Sequence, residues 1–143
     1  MKENPDLIID FSKFPQNKAL QSLFLGNTIF HEKLLNSINN LKFLKELSLR
    51  NCNLSSSLPS SIANLTQLEY LDLSSNNFSG TIPSSYGDQL KHLTSLSLYG
   101  NSLEGSIPSS LFSHPALRYL DLSYNQFSGY ITFPTLIMNH LQC

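Results

Sequence analysis

The sequence is poor in cysteine, in net charge and in long apolar runs, and each shortage removes a class of protein. Cys52 and Cys143 are the two cysteines in 143 residues, too few for a disulfide framework and not at the spacing of a zinc site. Nine basic against ten acidic residues leave a formal net charge of -1, so no summed field draws the chain onto nucleic acid or anionic lipid. Near the N-terminus, Lys2, Glu3, Asp6, Asp10 and Lys13 break up what a signal peptide would keep as one apolar run. Ile131 to Leu141 is interrupted by Pro134, Asn139 and His140 and falls short of the roughly 20 residues that span a bilayer. As written, the chain is expected neither to enter a secretory route by itself nor to cross a membrane.

Catalytic signatures are missing too. There is no G-x-S-x-G nucleophile elbow, no P-loop and no G-x-G-x-x-G. His31, His92, His114 and His140 fall at unrelated places, without a second ligand at metal spacing, so neither a metal nor another cofactor is expected.

What is present is a repeat. LQSLFL at Leu20, LKELSL at Leu44, LEYLDL at Leu68, LTSLSL at Leu93 and LRYLDL at Leu117 are one word written five times, at intervals of 24, 24, 25 and 24 residues. Leucines at alternate places of a short strand point to one side. A single unit cannot bury them, but units stacked edge to edge turn them into a continuous core. The return segments are as regular. Asn76, Asn101 and Asn125 stand three residues beyond the last strand leucine, with Thr28 and Cys52 at the equivalent places. An inward amide there can donate to and accept from backbone groups of adjacent rungs, so these residues form a ladder and Cys52 is a rung of it, not a nucleophile or ligand. Phe30, Leu54, Phe78, Leu103 and Phe127 fill the core behind the ladder. Gly80, Gly105 and Gly129 follow where the chain needs a turn that a Cβ resists. Leu58-Pro59, Ile82-Pro83 and Ile107-Pro108 then suit an extended second strand or the start of a tight helical turn.

The pattern LxxLxLxxNxLxGxIPxxLxxL resembles the plant-specific subclass of extracellular leucine-rich repeats, and its G-x-I-P element separates that subclass from the others. The match runs from about Leu20 to Ile131. The stretch LSLRNCNLSSSLPSSIANLTQLEYLDLSSNNFSGTIPSS is most like disease-resistance receptor-like proteins. The fold implied is a leucine-rich-repeat solenoid, a right-handed superhelix of short parallel strands with loop, second-strand or 3-10 return segments. About five repeats occupy 20-131, a partial or degenerate repeat 1-19, and a degenerate tail or truncated repeat 132-143. Departures fall in the early units: Glu32 and Ser56 stand at turn-glycine places and Leu35 at a proline place. Signal peptide, cysteine-paired caps and membrane span, usual in the family, are not in these residues, so the chain is expected to be a truncated or excised piece that associates through its ends.

By strand alternation, the rows facing out on the concave side are Ser22, Phe24 and Gly26; Glu46, Ser48 and Arg50; Tyr70, Asp72 and Ser74; Ser95, Ser97 and Tyr99; and Tyr119, Asp121 and Ser123. Tyr70, Tyr99 and Tyr119 offer large amphipathic contacts and Arg50 a fork for carboxylate or phosphate. With Asp72 and Asp121 they are the expected ligand-binding residues. The two aspartates recur in ordinary D-L-S contexts on an open surface, which argues against an acid-base pair and against an enzyme. Three sequons, Asn53-Leu-Ser55, Asn64-Leu-Thr66 and Asn77-Phe-Ser79, are candidate glycosylation sites, with Asn64 the first choice because it lies on the return segment.

The resemblance implies recognition of a protein or peptide ligand, together with a co-receptor kinase, by the ectodomain of a plasma-membrane receptor-like protein of immunity or development. A secreted inhibitor resembling polygalacturonase-inhibiting proteins and a truncated scaffold fragment are the competing readings.

Overall fold

The computed structural model describes residues 19–29, 35 and 37–131. The expected partial repeat up to residue 18, the tail 132–143, Phe30 and Glu32 lie outside the described residues.

Five three-residue strands, β1 (Ser22–Phe24), β2 (Glu46–Ser48), β3 (Tyr70–Asp72), β5 (Ser95–Ser97) and β7 (Tyr119–Asp121), form one parallel sheet in chain order. Every pair advances by one repeat: Leu23 faces Leu47, Leu47 faces Leu71, Leu71 faces Leu96 and Leu96 faces Leu120. The central leucine of each word therefore stacks on the same leucine of the next. Leu47, Leu71 and Leu96 are wholly buried and Leu120 nearly so. Burying such a side chain contributes about 2 kcal/mol, and it does so only because a neighbouring repeat supplies the other wall.

The chain returns along the opposite side. β4 (Ser79–Gly80), β6 (Ser102–Gly105) and β8 (Gln126–Phe127) pair in parallel there, and Ser57, one repeat earlier, bridges to Ser79. The turn that starts this second sheet needs a left-handed residue. Gly80, Gly105 and Gly129 have φ of 75°, 74° and 96°, and Ser56, their counterpart one repeat earlier, is held at 76° despite its Cβ. The prolines then open short helical turns: Pro59 accepts from the N–H of Ile62, Pro83 from that of Tyr86 and Pro108 from that of Leu111. These turns are Ser60–Asn64 and the helices Ser85–Gln89 and Ser109–Phe112. Of the two uses foreseen for the Leu-Pro and Ile-Pro dipeptides, the helical turn is the one that occurs; the second strands Ser79–Gly80 and Ser102–Gly105 end before the prolines.

The polar ladder holds the two sides together. Asn76 Oδ1 accepts from the N–H groups of Cys52 and Leu54, and its Nδ2 donates to the carbonyls of Leu49, Leu73 and Ser74. Asn101 and Asn125 repeat the arrangement on Phe78 and Leu103 respectively. Cys52 takes the same place with less capacity, its thiol donating to the Leu25 carbonyl at 3.1 Å. Burial, the larger influence, raises its pKa above the ordinary thiol value, against the lowering effect of backbone N–H groups of Thr28 and Asn27. A buried thiol of that kind is a poor nucleophile, in keeping with its place as a rung.

Candidate functional site

The main sheet lines one hollow of about 530 Å³ bounded by Arg50, Tyr70, Asp72, Ser74, Ser95, Ser97, Tyr99, Tyr119 and Asp121. All six residues expected to bind ligand, Arg50, Tyr70, Asp72, Tyr99, Tyr119 and Asp121, are in this lining. The repeat does the positioning. Tyr70, Ser95 and Tyr119 are register partners on successive strands, as are Asp72, Ser97 and Asp121.

Not every residue of the outward rows is exposed. Ser48, Asp72 and Ser74 are 8%, 7% and 3% exposed, so the expectation that they present open surface is corrected. Alternation sets which face a side chain leaves from; burial also depends on neighbours about 4.8 Å away on each side. Asp72 lies between strand neighbours and turns its carboxylate back onto its own strand, where Oδ1 accepts from the Ser74 N–H at 2.9 Å and Oδ2 from the Tyr70 hydroxyl at 3.4 Å. Tyr99 and Tyr119 are 36% and 44% exposed and are the exposed rings of this lining.

Asp121, nearer the end of the sheet, repeats the Asp72 arrangement. Its Oδ1 accepts from the Ser123 N–H at 3.0 Å and from the Ser123 hydroxyl, and its Oδ2 from the Tyr119 hydroxyl at 3.3 Å. Partial burial pushes its pKa up, but the Ser123 and Tyr119 hydrogen bonds outweigh this and hold it below the ordinary value. Tyr70 is raised by burial and then by the charge and hydrogen bond of Asp72, and Tyr119 chiefly by the charge of Asp121. At neutral pH Tyr70 and Tyr119 are therefore protonated and Asp121 is ionised. Asp121, held below the ordinary value, lacks the raised pKa a general acid requires. Among the described residues no three His, Cys, Asp or Glu side chains converge to hold a metal ion.

The periodic reading missed two features. Tyr124 leaves the turn after β7 and packs its ring on Tyr99, with centroids 5.0 Å apart, which extends the aromatic surface past the strands. His114 was set aside as unrelated to the repeat, yet it occupies a buried column. Counting back by 24 residues gives Leu90, and His114 Nε2 meets the carbonyl of that residue at 2.9 Å. Its Nδ1 accepts from the N–H groups of Ala116 and Leu117. Together these fix a neutral ring with its proton on Nε2. The sequon asparagines Asn53, Asn64 and Asn77 are all exposed. Asn64 closes the Ser60–Asn64 turn, whereas Asn77 Nδ2 donates to Asn53 Oδ1 across adjacent repeats at 3.3 Å.

This stack of parallel rungs is that of a leucine-rich-repeat protein. Models of that family match in two places, one described as "Leucine Rich repeats (2 copies)" over residues 42–87 and one as "Leucine rich repeat" over residues 77–127. No curated protein sequence matches the chain significantly. Among solved structures, the ectodomain of the Arabidopsis receptor kinase HAESA, in complex with an extended IDA peptide hormone ligand, is 35% identical with a TM-score of 0.71 over 85% of this chain and 20% of its own. The PEPR1-AtPEP1 complex is 38% identical with a TM-score of 0.73 over 78% and 16%. A plant ice-binding protein is 33% identical with a TM-score of 0.70 over 78% and 36%. The chain belongs to the plant extracellular leucine-rich-repeat family. It spans well under half the length of each of these three structures. Among the described residues, no helix is long and apolar enough to cross a membrane.

Proposed function

We propose that this chain is a ligand-recognition segment of a plant cell-surface receptor ectodomain, and that the concave hollow binds a peptide or protein. The observation that carries the reading is the convergence of Arg50, Tyr70, Asp72, Tyr99, Tyr119 and Asp121 on a single hollow of the main sheet. Tyrosine and arginine are the residues that most often dominate binding energy at interfaces. Similarity to the HAESA ectodomain, solved with a peptide hormone ligand bound, supports a peptide as the ligand class. Asp72 and Asp121 serve here as orienting acceptors and not as an acid-base pair.

The likeness of the Leu47–Ser85 stretch to disease-resistance receptor-like proteins favours a role in immunity over one in development, with a plasma-membrane parent and a co-receptor kinase as its signalling partner. A secreted inhibitor would use the same face. Panning a random peptide library against the chain, followed by hydrogen exchange of the bound complex, tests the reading. Protection confined to the strands bearing Tyr70, Tyr99 and Tyr119 is expected; protection confined to the β4–β6–β8 side would refute it.

A further inference from the structure

The concave hollow is asymmetric in charge, and on the reading that it takes a peptide, this asymmetry selects a side chain. The word Tyr-Leu-Asp-Leu-Ser occurs twice, at 70–74 and 119–123. In both copies one carboxylate oxygen is held by the serine N–H, at 2.9 and 3.0 Å. The other oxygen has the tyrosine hydroxyl at 3.4 and 3.3 Å, long for an O–H···O bond, so its acceptor capacity is largely unspent. Between the two copies runs Ser95-Leu-Ser97, which carries no charge, and Ser97 is the register partner of both aspartates.

Two strand spacings separate the carboxylates, about 10 Å. A cation seated over Ser97 would lie about 5 Å from each, inside the range in which opposite charges interact strongly. The basic residue of the lining, Arg50, does not fill this place. It follows β2, on the other side of β3, and among the described residues no salt bridge joins it to Asp72. Its charge repels a cation from that end and so confines the favourable position to the Ser97 side. The exposed rings of Tyr99 and Tyr119 bound the same place and offer faces to a flat cation.

We propose that the gap between Asp72 and Asp121 is a subsite for a basic side chain of the bound peptide, best filled by the planar guanidinium of arginine. The guanidinium, about 5 Å from each carboxylate, is attracted to both while its plane lies against a tyrosine ring. A neutral side chain of the same shape lacks the attraction to both carboxylates.

The test is a titration of the whole chain with N-acetyl-arginine amide and with its neutral isostere N-acetyl-citrulline amide, followed by amide NMR shifts. Saturable shifts at Ser97, Tyr99, Tyr119 and Asp121 are expected from the arginine compound alone, weakening as salt rises. Asp121→Asn should weaken binding about fivefold, the size of one screened charge contact. Arg50→Gln should tighten binding, since it removes the like charge. An equal response to both compounds, shifts centred elsewhere, or indifference to both substitutions overturns the proposal. Unfolding curves of the variants separate lost binding from lost fold. In the library selection described above, concave-face binders without enrichment in arginine or lysine would overturn this subsite and leave the binding reading standing. Binders on another face would overturn the reading itself.

Discussion

Ser56 is the clearest strained residue in the repeat, and replacing it with glycine should stabilise the protein. Its φ of 76° matches the 75° and 74° of Gly80 and Gly105, its counterparts in the next two repeats, so the turn imposes the same backbone on all three. For an L-residue the left-handed region costs about 1–2 kcal/mol. Glycine gives back part of that gain through its greater freedom when unfolded, about 0.5–1 kcal/mol. The net expectation for Ser56→Gly is a gain of about 0.5–1 kcal/mol, or a few degrees in Tm. The serine hydroxyl makes a 3.4 Å contact with the Ser57 carbonyl, too long to offset this. The backbone carbonyl of Ser56, which accepts from the Ser79 N–H at 2.9 Å, is unaffected by the change. The converse substitutions calibrate the argument. A Cβ on Gly80 would come within 3.9 Å of Ser57 and meet strain alone, whereas one on Gly105 would come within 2.8 Å of Thr81 Cγ2 and add a clash. Urea unfolding of Ser56→Gly, Gly80→Ala and Gly105→Ala should rank them in that order, the first above the parent chain and the last lowest. A Ser56→Gly protein less stable than its parent at unchanged m-value would refute the reasoning.

Three further outcomes follow from the same geometry. Asn101→Ala leaves the Phe78 N–H without its side-chain partner, while the Leu73 and Leu98 carbonyls keep Asn76 and Asn125 as donors, and should cost about 2 kcal/mol by chemical denaturation; a loss under about 1 kcal/mol would mean the ladder is not structural. Burial, with the nearby charges of Lys91 and Arg118 and against the pull of the Leu90 carbonyl, lowers the His114 pKa below 6.5, so the unfolded chain takes up a proton before the folded one. The His114 contribution to stability is thus complete above about pH 6.5 and is lost as pH falls below it, by at most about 1.4 kcal/mol per pH unit, and His114→Gln should flatten that slope between pH 5 and 7. Expressed through a plant secretory route, the chain should carry a glycan that Asn64→Gln removes, read as a mass difference after deglycosylation; an unchanged mass would count against that site.

Much of this was legible in the sequence because the repeat converts spacing into contact. A residue and its partner 24 places on stand side by side, so the asparagine ladder, the turn glycines and the composition of the hollow could be read by aligning the words. The same operation applied to His114 would have found its column, Leu41, Leu65 and Leu90, had the alignment been carried into the less regular return segment. Tyr86 was hidden in the same way: it stands one repeat after Ile62 in a fully buried column and satisfies its hydroxyl on the Pro59 carbonyl at 3.0 Å. Burial within the hollow was not legible. Alternation assigns Asp72 and Ser74 to the outward face, but only the width of flanking side chains and the carboxylate's turn toward Ser74 decide that both are nearly covered.

The central claim, that recognition belongs to the concave hollow, is tested most directly by the affinities of one library-selected peptide for a panel of alanine variants. Tyr99→Ala and Tyr119→Ala should each weaken binding about tenfold or more, the loss typical of a buried tyrosine anchor. Ser102→Ala and Lys91→Ala, exposed and outside the hollow's lining, should leave it unchanged. The reverse pattern, binding intact in the tyrosine variants and lost in the outer ones, would contradict the account.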